Sequence, residues 1–409
     1  MVDEPVTGLD RADAVGGIPG DEARVRALED LGVLDTGPES RFDRITGLAH
    51  RLFGVASAAI TLIDRDRQYI KSSEGTKLLP GPRDEAFCDR TIRQPGTLVV
   101  ADASLDARFA DNPLVTGERH VRFYAGHPLE APGGHRVGAL CLLDDRPRTF
   151  SEPERALLQE LAEWVQQELT RSAELEHAAA VQRGLLPGRR PQIQGYDVAG
   201  VCLPSRAVGG DFLDWYPTRD GGLAVTLGDV MGKGMPAAIV MAMVRTAMRS
   251  AGREFPPAEA LRQAADTLHE DLEGTSTLVT LCHAVLQPDE CLVRYADAGH
   301  GLMLLVRMDG SVCSAAGRGL PLGVMPGTEW DQATLTLEAG DTLLAFSDGL
   351  LDLHPGPLPQ ALHDIAATVA TAADADETVR LFAARAQRAA LLDDDVTVVV
   401  VRRLAEEPG

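Results

Sequence analysis

The spacing of apolar positions changes period several times along the chain. DEARVRALEDLGVLDT places Val25, Leu28, Leu31 and Leu34 at helical spacing, and Phe42, Ile45, Leu48, Ala49 and Leu52 continue it on a second helix. Strand-like runs follow at 56–63, 68–71, 97–100, 121–127 and 137–143, with Asp64-Arg65-Asp66 as a tight turn between the first two. Strands flanked by helices predict one α+β module over 21–150. Ser151-Glu152-Pro153-Glu154 then carries helix-start signals: serine at the N-cap, proline just inside and glutamate in the first turn. That helix is expected to run to about Gln182 and to end at Gly184 and Pro187. Leu158, Leu161, Val165, Ser172, Leu175, Ala179 and Gln182 approximate a three-four alternation, apolar in the first half and alanine-rich and polar in the second. Two readings are open: a helix packed on the preceding module, or a parallel coiled coil joining two protomers over 151–186. The second is preferred.

Beyond 187, strand-like runs fall at 196–203, 211–216 and 223–229, and helical stretches at 235–251 and 257–273. More strands follow at 276–286, 291–298, 302–308, 333–337 and 342–347. Helices at 358–370 and 377–390 and a strand at 396–402 close the chain. Short links between strands favour antiparallel pairing, and strands in runs with helices in pairs predict two sheets covered by helices, over 187–405. Residues 1–20 have no apolar period and are expected to form a loose tail.

Composition narrows the function classes. The 409 residues carry a net charge of −22, which argues against sequence-independent nucleic-acid binding and against docking on anionic lipid. No apolar run approaches the ~18 residues that span a bilayer, and the N-terminus has no signal-peptide pattern. The expectation is a soluble cytoplasmic protein. Cys88, Cys141, Cys202, Cys282, Cys291 and Cys313 form no C-x-x-C pair, and most sit in apolar runs as small core residues.

Residues 21–169 resemble a GAF domain, through LGVLDT, LIDRDRQYIKSSEG, AFCDRTI, LVVADASLDARFADNPLV and RFYAGHPLEAPGGHRVGALCLLDDRPR. The resemblance implies a sensor for a small molecule or a protein, and many similar domains serve in dimerisation and signal relay. It does not name the ligand. Cys88 reads as a buried structural thiol, and His127 and His135 as packing or surface residues.

The chemistry is concentrated in four acidic stretches: Gly209-Gly210-Asp211, Gly228-Asp229-Val230-Met231-Gly232-Lys233-Gly234, Phe346-Ser347-Asp348-Gly349 and Asp393-Asp394-Asp395-Val396-Thr397. Any one alone reads as turn chemistry. Aspartate is depleted from strands, so four carboxylates at strand ends suggest a site for hard cations. Residues 178–403 are similar to the protein phosphatase 2C superfamily, and within it to the bacterial stage II sporulation protein E type. The matching stretches are LLPGRRP, LPSRAVGGDFLDWY, GDVMGKGMPAA, YADAGHGLMLL, GLPLGV, GDTLLAFSDGLLD and DDDVTVVVV. The resemblance implies an α-β-β-α sandwich with two divalent cations, Mn²⁺ or Mg²⁺, in a cleft. It implies Asp211, Asp229, the Val230 carbonyl, Asp348 and Asp394 as ligands, with Asp229 and Asp348 acting through a metal-activated water. Asp395 would support a ligand, Asp393 would be a solvated neighbour, and Asp214 would support the site or face solvent. Arg206 and Lys233 are candidates for phosphate contact, and His300 for a structural role.

What the resemblance implies overall is a signal-regulated serine/threonine protein phosphatase. Its substrate would be a phosphorylated anti-sigma-factor antagonist-like protein, and it would act as a homodimer under an unknown signal at the GAF-like module. The alternatives are a non-catalytic adaptor that binds a phosphoprotein, and a small-molecule sensor with residual phosphatase activity.

Overall fold

The computed structural model describes residues 20–405 apart from 316, 318 and 390, so the expected tail lies outside the described residues except for Gly20. The chain separates into two compact units between Glu176 and His177, inside the expected linker.

The first unit contains α1 (Asp21–Glu29), α2 (Ser40–Phe53), β1 (Ser57–Ile63), β2 (Arg67–Gly75), β3 (Gly81–Pro82), α3 (Phe87–Thr91), β4 (Leu98–Val100), α4 (Pro113–Thr116), β5 (Phe123–Ala131) and β6 (His135–Asp144). The strands form one antiparallel sheet in the order β3-β2-β1-β6-β5-β4. Side chains alternate across it. Ala58, Ile60 and Leu62 of β1 pack with α1 and α2. Ala59 and Ile63 face the other way, toward Phe87 and Cys88 of α3. The helices α3 and α4, at one turn or so each, are too short to show a period in the sequence.

The linker is a single helix, α5 (Glu152–Leu185), opened by Ser151, whose N–H and hydroxyl both donate to the Glu154 carboxylate. Leu158, Leu161, Val165 and Leu169 are buried in the same core as Ile60 and Phe42. Each such burial is worth roughly 2 kcal/mol. The apolar half of the seam is therefore spent on this unit's own sheet. This half of the linker follows the packed-helix reading, not the preferred coiled coil.

The second unit contains β7 (Tyr196–Leu203), β8 (Phe212–Pro217), β9 (Leu223–Val230), α6 (Met235–Glu254), α7 (Pro257–Thr275), β10 (Val279–Gln287), β11 (Leu292–Ala298), β12 (Met303–Val306), β13 (Val312–Ser314), β14 (Ala333–Thr336), β15 (Thr342–Phe346), α8 (Gly349–Asp352), α9 (Leu358–Thr371), α10 (Ala375–Arg388) and β16 (Val396–Arg403). Two five-stranded sheets form, in the orders β14-β11-β10-β9-β8 and β13-β12-β15-β16-β7, and their ladders are antiparallel as expected. Three apolar layers hold them. Leu213, Trp215, Val225, Leu227, Leu343 and Val399 fill the space between the sheets. Phe212 and Leu281 face α6 and α7. Leu344, Val398 and Val400 face α9 and α10. This is the expected α-β-β-α sandwich.

Candidate metal centre

Strand alternation carries the inter-sheet core into an acidic end. Along one face of β9 run Val225, Leu227 and Asp229; along β15, Leu343, Ala345 and then Ser347; along β16, Val401, Val399, Thr397 and then Asp395. Asp211 stands immediately before Phe212 of β8, whose partner on β9 is Gly228. Ser347 N–H donates to the Thr397 carbonyl at 2.9 Å, and Thr397 N–H donates to Ser347 Oγ at 2.9 Å. These two bonds tie together the ends of β15 and β16, from which Asp348 and Asp394 project. The ties are close: a Cβ on Gly349 would stand 2.2 Å from the Asp395 carbonyl oxygen.

The carboxylates oppose one another's ionisation. Burial first, and then the charges of Asp348 and Asp394, push the Asp229 pKa up to about 6. Asp211 is only 4% exposed. Burial, and then the charge of Asp229, hold its carboxyl well above the usual range. Asp211 Oδ2 is buried without a hydrogen-bond partner. The Val230 carbonyl lies against Gly210, where a Cβ would come within 2.6 Å of it.

Among the described residues, no group of three or more His, Cys, Asp or Glu side chains is already disposed to hold an ion. The donor chemistry nonetheless fits hard divalent cations. It is oxygen throughout, from four carboxylates and the Val230 carbonyl, it includes an orphaned buried oxygen, and the repulsion among the carboxylates is what cations would remove.

Residues around the cluster hold it from behind. Asp395 Oδ1 accepts from Ser205 N–H at 2.7 Å, and Oδ2 accepts from Gly210 N–H at 2.8 Å and Asp211 N–H at 3.3 Å. Asp395 thus clamps the Asp211 turn. Lys233 Nζ pairs with Asp394 Oδ2 at 2.9 Å and donates to the Asp393 carbonyl. Arg206 is exposed, with its guanidinium beside Gly234.

Residues 37–169 match the GAF domain family, and residues 219–404 match the family of stage II sporulation protein E. The chain is a GAF domain followed by a stage II sporulation protein E-type domain. Asp229, Asp348 and Asp394 lie inside the second match, and Asp211 precedes it.

Among curated proteins, the cyclic di-GMP phosphodiesterase PA2567 of Pseudomonas aeruginosa is 39% identical over 149 residues, 36% of this chain and 25% of that protein. The phosphoserine phosphatase RsbU of Bacillus subtilis is 29% identical over 190 residues, 46% of this chain and 56% of that protein. The chain thus spans about half of RsbU and a quarter of PA2567. Among solved structures, the RsbU and RsbW domains of Rv1364c from Mycobacterium tuberculosis align with a TM-score of 0.45 at 30% identity, covering 53% of this chain and 62% of that one. The SiaA-PP2C domain of Pseudomonas aeruginosa aligns with a TM-score of 0.48 at 21% identity, covering 56% and 95%.

Other residues of the second unit fall outside the acidic cluster. Asp214 neither faces solvent nor joins the cluster. It lies on the helix-facing side of β8, where Arg249 Nε donates to it at 2.7 Å and Arg245 approaches to 3.4 Å. The odd–even alternation from Asp211 to Asp214 carries this signal in the sequence. His300 is buried, with Nε2 on the Phe346 carbonyl at 2.9 Å, a structural tie as expected. Gln182, expected in the linker seam, is turned instead onto the Gly209 backbone. In the GAF domain Cys88 is buried and accepts from Tyr124 Oη at 3.4 Å, while His127 Nδ1 pairs with Thr97 Oγ1 at 2.9 Å. Cys313 is exposed and lies outside the core-residue reading. No helix among the described residues is long and apolar enough to cross a membrane.

Proposed function

We propose that this chain is a divalent-cation-dependent serine/threonine protein phosphatase whose activity is set by its GAF domain. The observation that carries the reading is buried Asp211 beside half-buried Asp229, each opposed by neighbouring carboxylate charge, with no hydrogen-bond partner for Asp211 Oδ2. Similarity to a phosphoserine phosphatase supports the same chemistry.

In this reading Asp211, Asp229, the Val230 carbonyl, Asp348 and Asp394 would hold the cations. When bound, these ions supply positive charge for a phosphoryl group and bring the ionisation of a coordinated water toward neutral pH. The chain's own work is positional. Asp395 and the tied ends of β15 and β16 hold the carboxylates, and the inter-sheet core keeps water away from their rear. Lys233, beside Asp394, and Arg206, beside Gly234, would meet an incoming phosphate. The substrate we propose is a phosphorylated anti-sigma-factor antagonist-like protein. A signal at the GAF domain would act on a homodimer joined through the second half of α5, where Val181 remains 67% exposed.

The test is phosphate release from phosphoserine proteins of that class by the full chain, with and without Mn²⁺. Release that needs Mn²⁺ and vanishes in Asp229→Asn and Asp348→Asn supports the reading. Release unaffected by either substitution refutes it.

A further inference from the structure

The turn that carries Asp211 is gripped from three sides, and one grip comes from outside the acidic motifs. Gln182 Nε2 donates to the Gly209 carbonyl at 2.7 Å, and Gly209 N–H donates to Gln182 Oε1 at 3.0 Å. One side-chain amide thus satisfies both polar groups of one backbone residue. Gln182 is 8% exposed, so neither partner has water as a substitute. The second grip is Asp395, whose Oδ2 accepts from Gly210 N–H and Asp211 N–H. The third is steric: a Cβ on Gly209 would lie 2.1 Å from Asp395 Oδ2, and one on Gly210 would lie 2.6 Å from the Val230 carbonyl oxygen. One helical turn before Gln182, Ala179 packs with Val208 and Ala238, which seats the end of α5 directly on the residue preceding the turn.

We infer that Gln182 is a positioning residue for the cation site: its amide fixes the Gly209-Gly210-Asp211 backbone, and with it the direction of the Asp211 carboxylate. The inference rests on the proposed cation-dependent reading and adds to it a residue on the linker helix. The chemistry selects glutamine. A clasp on one N–H and one C=O needs a donor and an acceptor on the same planar group, which an amide provides and a carboxylate does not. Glutamate in the same volume would keep the bond to Gly209 N–H and set a carboxylate oxygen against the Gly209 carbonyl. Because Gln182 is carried by α5, the clasp also ties this turn to the helix that links the two units.

The experiment compares the full chain with Gln182→Ala and Gln182→Glu. Two quantities are measured: Mn²⁺ binding by calorimetry, and amide hydrogen exchange over 205–212 without metal. Loss of a partner that orients a ligand costs about 10- to 100-fold in metal affinity. Both variants should weaken Mn²⁺ binding by that factor and lose exchange protection at Gly209–Asp211. The glutamate variant separates positioning from packing, since it preserves volume: Mn²⁺ affinity and protection at parental levels in Gln182→Glu would overturn the inference. Unchanged exchange in both variants would overturn it equally, whatever their activity. If the parent chain binds no Mn²⁺, or Asp229→Asn binds it as the parent does, the cation site itself fails. If instead Asp229→Asn abolishes binding and the Gln182 variants do not weaken it, only the role of Gln182 fails.

Discussion

Asp211 and Asp214 lie on one stretch of chain, both nearly fully buried, and meet opposite environments. Asp214 points to the helix layer, where Arg249 and Arg245 of α6 bracket it. Asp211 points between the sheets, where its nearest charged neighbour is another carboxylate and one of its oxygens has no partner. The first unit repeats the Asp214 solution at partly buried Asp21. Burial alone would raise the Asp21 pKa, but hydrogen bonds from Arg83 and Arg24 bring it to about 2. At Asp214 and Asp21 the chain supplies arginines to the carboxylate. At Asp211 and Asp229 it supplies more carboxylates. Under the proposed reading, the positive charge that these carboxylates lack comes from divalent cations.

The comparison breaks most visibly in activity. Replacing Asp229 or Asp348 by alanine should cut Mn²⁺-dependent phosphate release by roughly 10³-fold or more, the several kcal/mol that metal ions contribute to such reactions. Steady-state rates at saturating Mn²⁺ check this, and a loss below tenfold would remove these residues from the site. The same substitutions should leave urea unfolding of the metal-free chain unharmed or improved, since each removes a repulsive charge.

Asp214→Ala should do the reverse. It strips buried Arg245 and half-buried Arg249 of their counter-ion, and breaking such a buried pair costs about 3 kcal/mol of stability. Urea denaturation should show that loss, while calorimetric Mn²⁺ affinity stays at the parental value. An equal loss of Mn²⁺ affinity would mean that the two faces of β8 are not independent.

His283 gives a smaller effect on the same helix-facing side. It is fully buried against Thr226, with Nε2 unpartnered, and burial lowers its pKa to about 4. The unfolded chain takes up that proton near pH 6.5 and the folded chain only near 4, so stability is full above pH 6.5 and is lost as pH falls through that window. At pH 5 the loss is about 2 kcal/mol. Urea midpoints at pH 7 and pH 5 should differ by less in His283→Gln than in the parent chain.

Smallest is the pH response of the acidic cluster. With the Asp229 pKa near 6, protons compete for the site below that value. Mn²⁺ affinity of the parent chain should therefore fall about tenfold between pH 6 and pH 5, and a flat affinity over that range would remove Asp229 from the site.

Much of this was legible in the residues. The 2-residue alternation of Val225, Leu227 and Asp229 marks both the strand and the point where the core turns acidic, and the four acidic stretches mark the candidate site. The partners of the clamps were not legible, although the resemblance gave Asp395 a supporting role. Asp395 reaches Gly210 across 185 positions, and Gln182 reaches Gly209 across 27, so no local period connects them. The linker seam misled for a related reason. An apolar helical face shows that something covers it, and only the fold shows that the cover is the GAF domain's own sheet.

The central claim is that the acidic end of the inter-sheet space takes divalent cations. Calorimetric titration of Mn²⁺ into the full chain at pH 7.5, beside Asp229→Asn, tests it most directly. The account predicts saturable binding by the parent chain and its loss in the variant. Equal binding by both, or none by the parent, would contradict it.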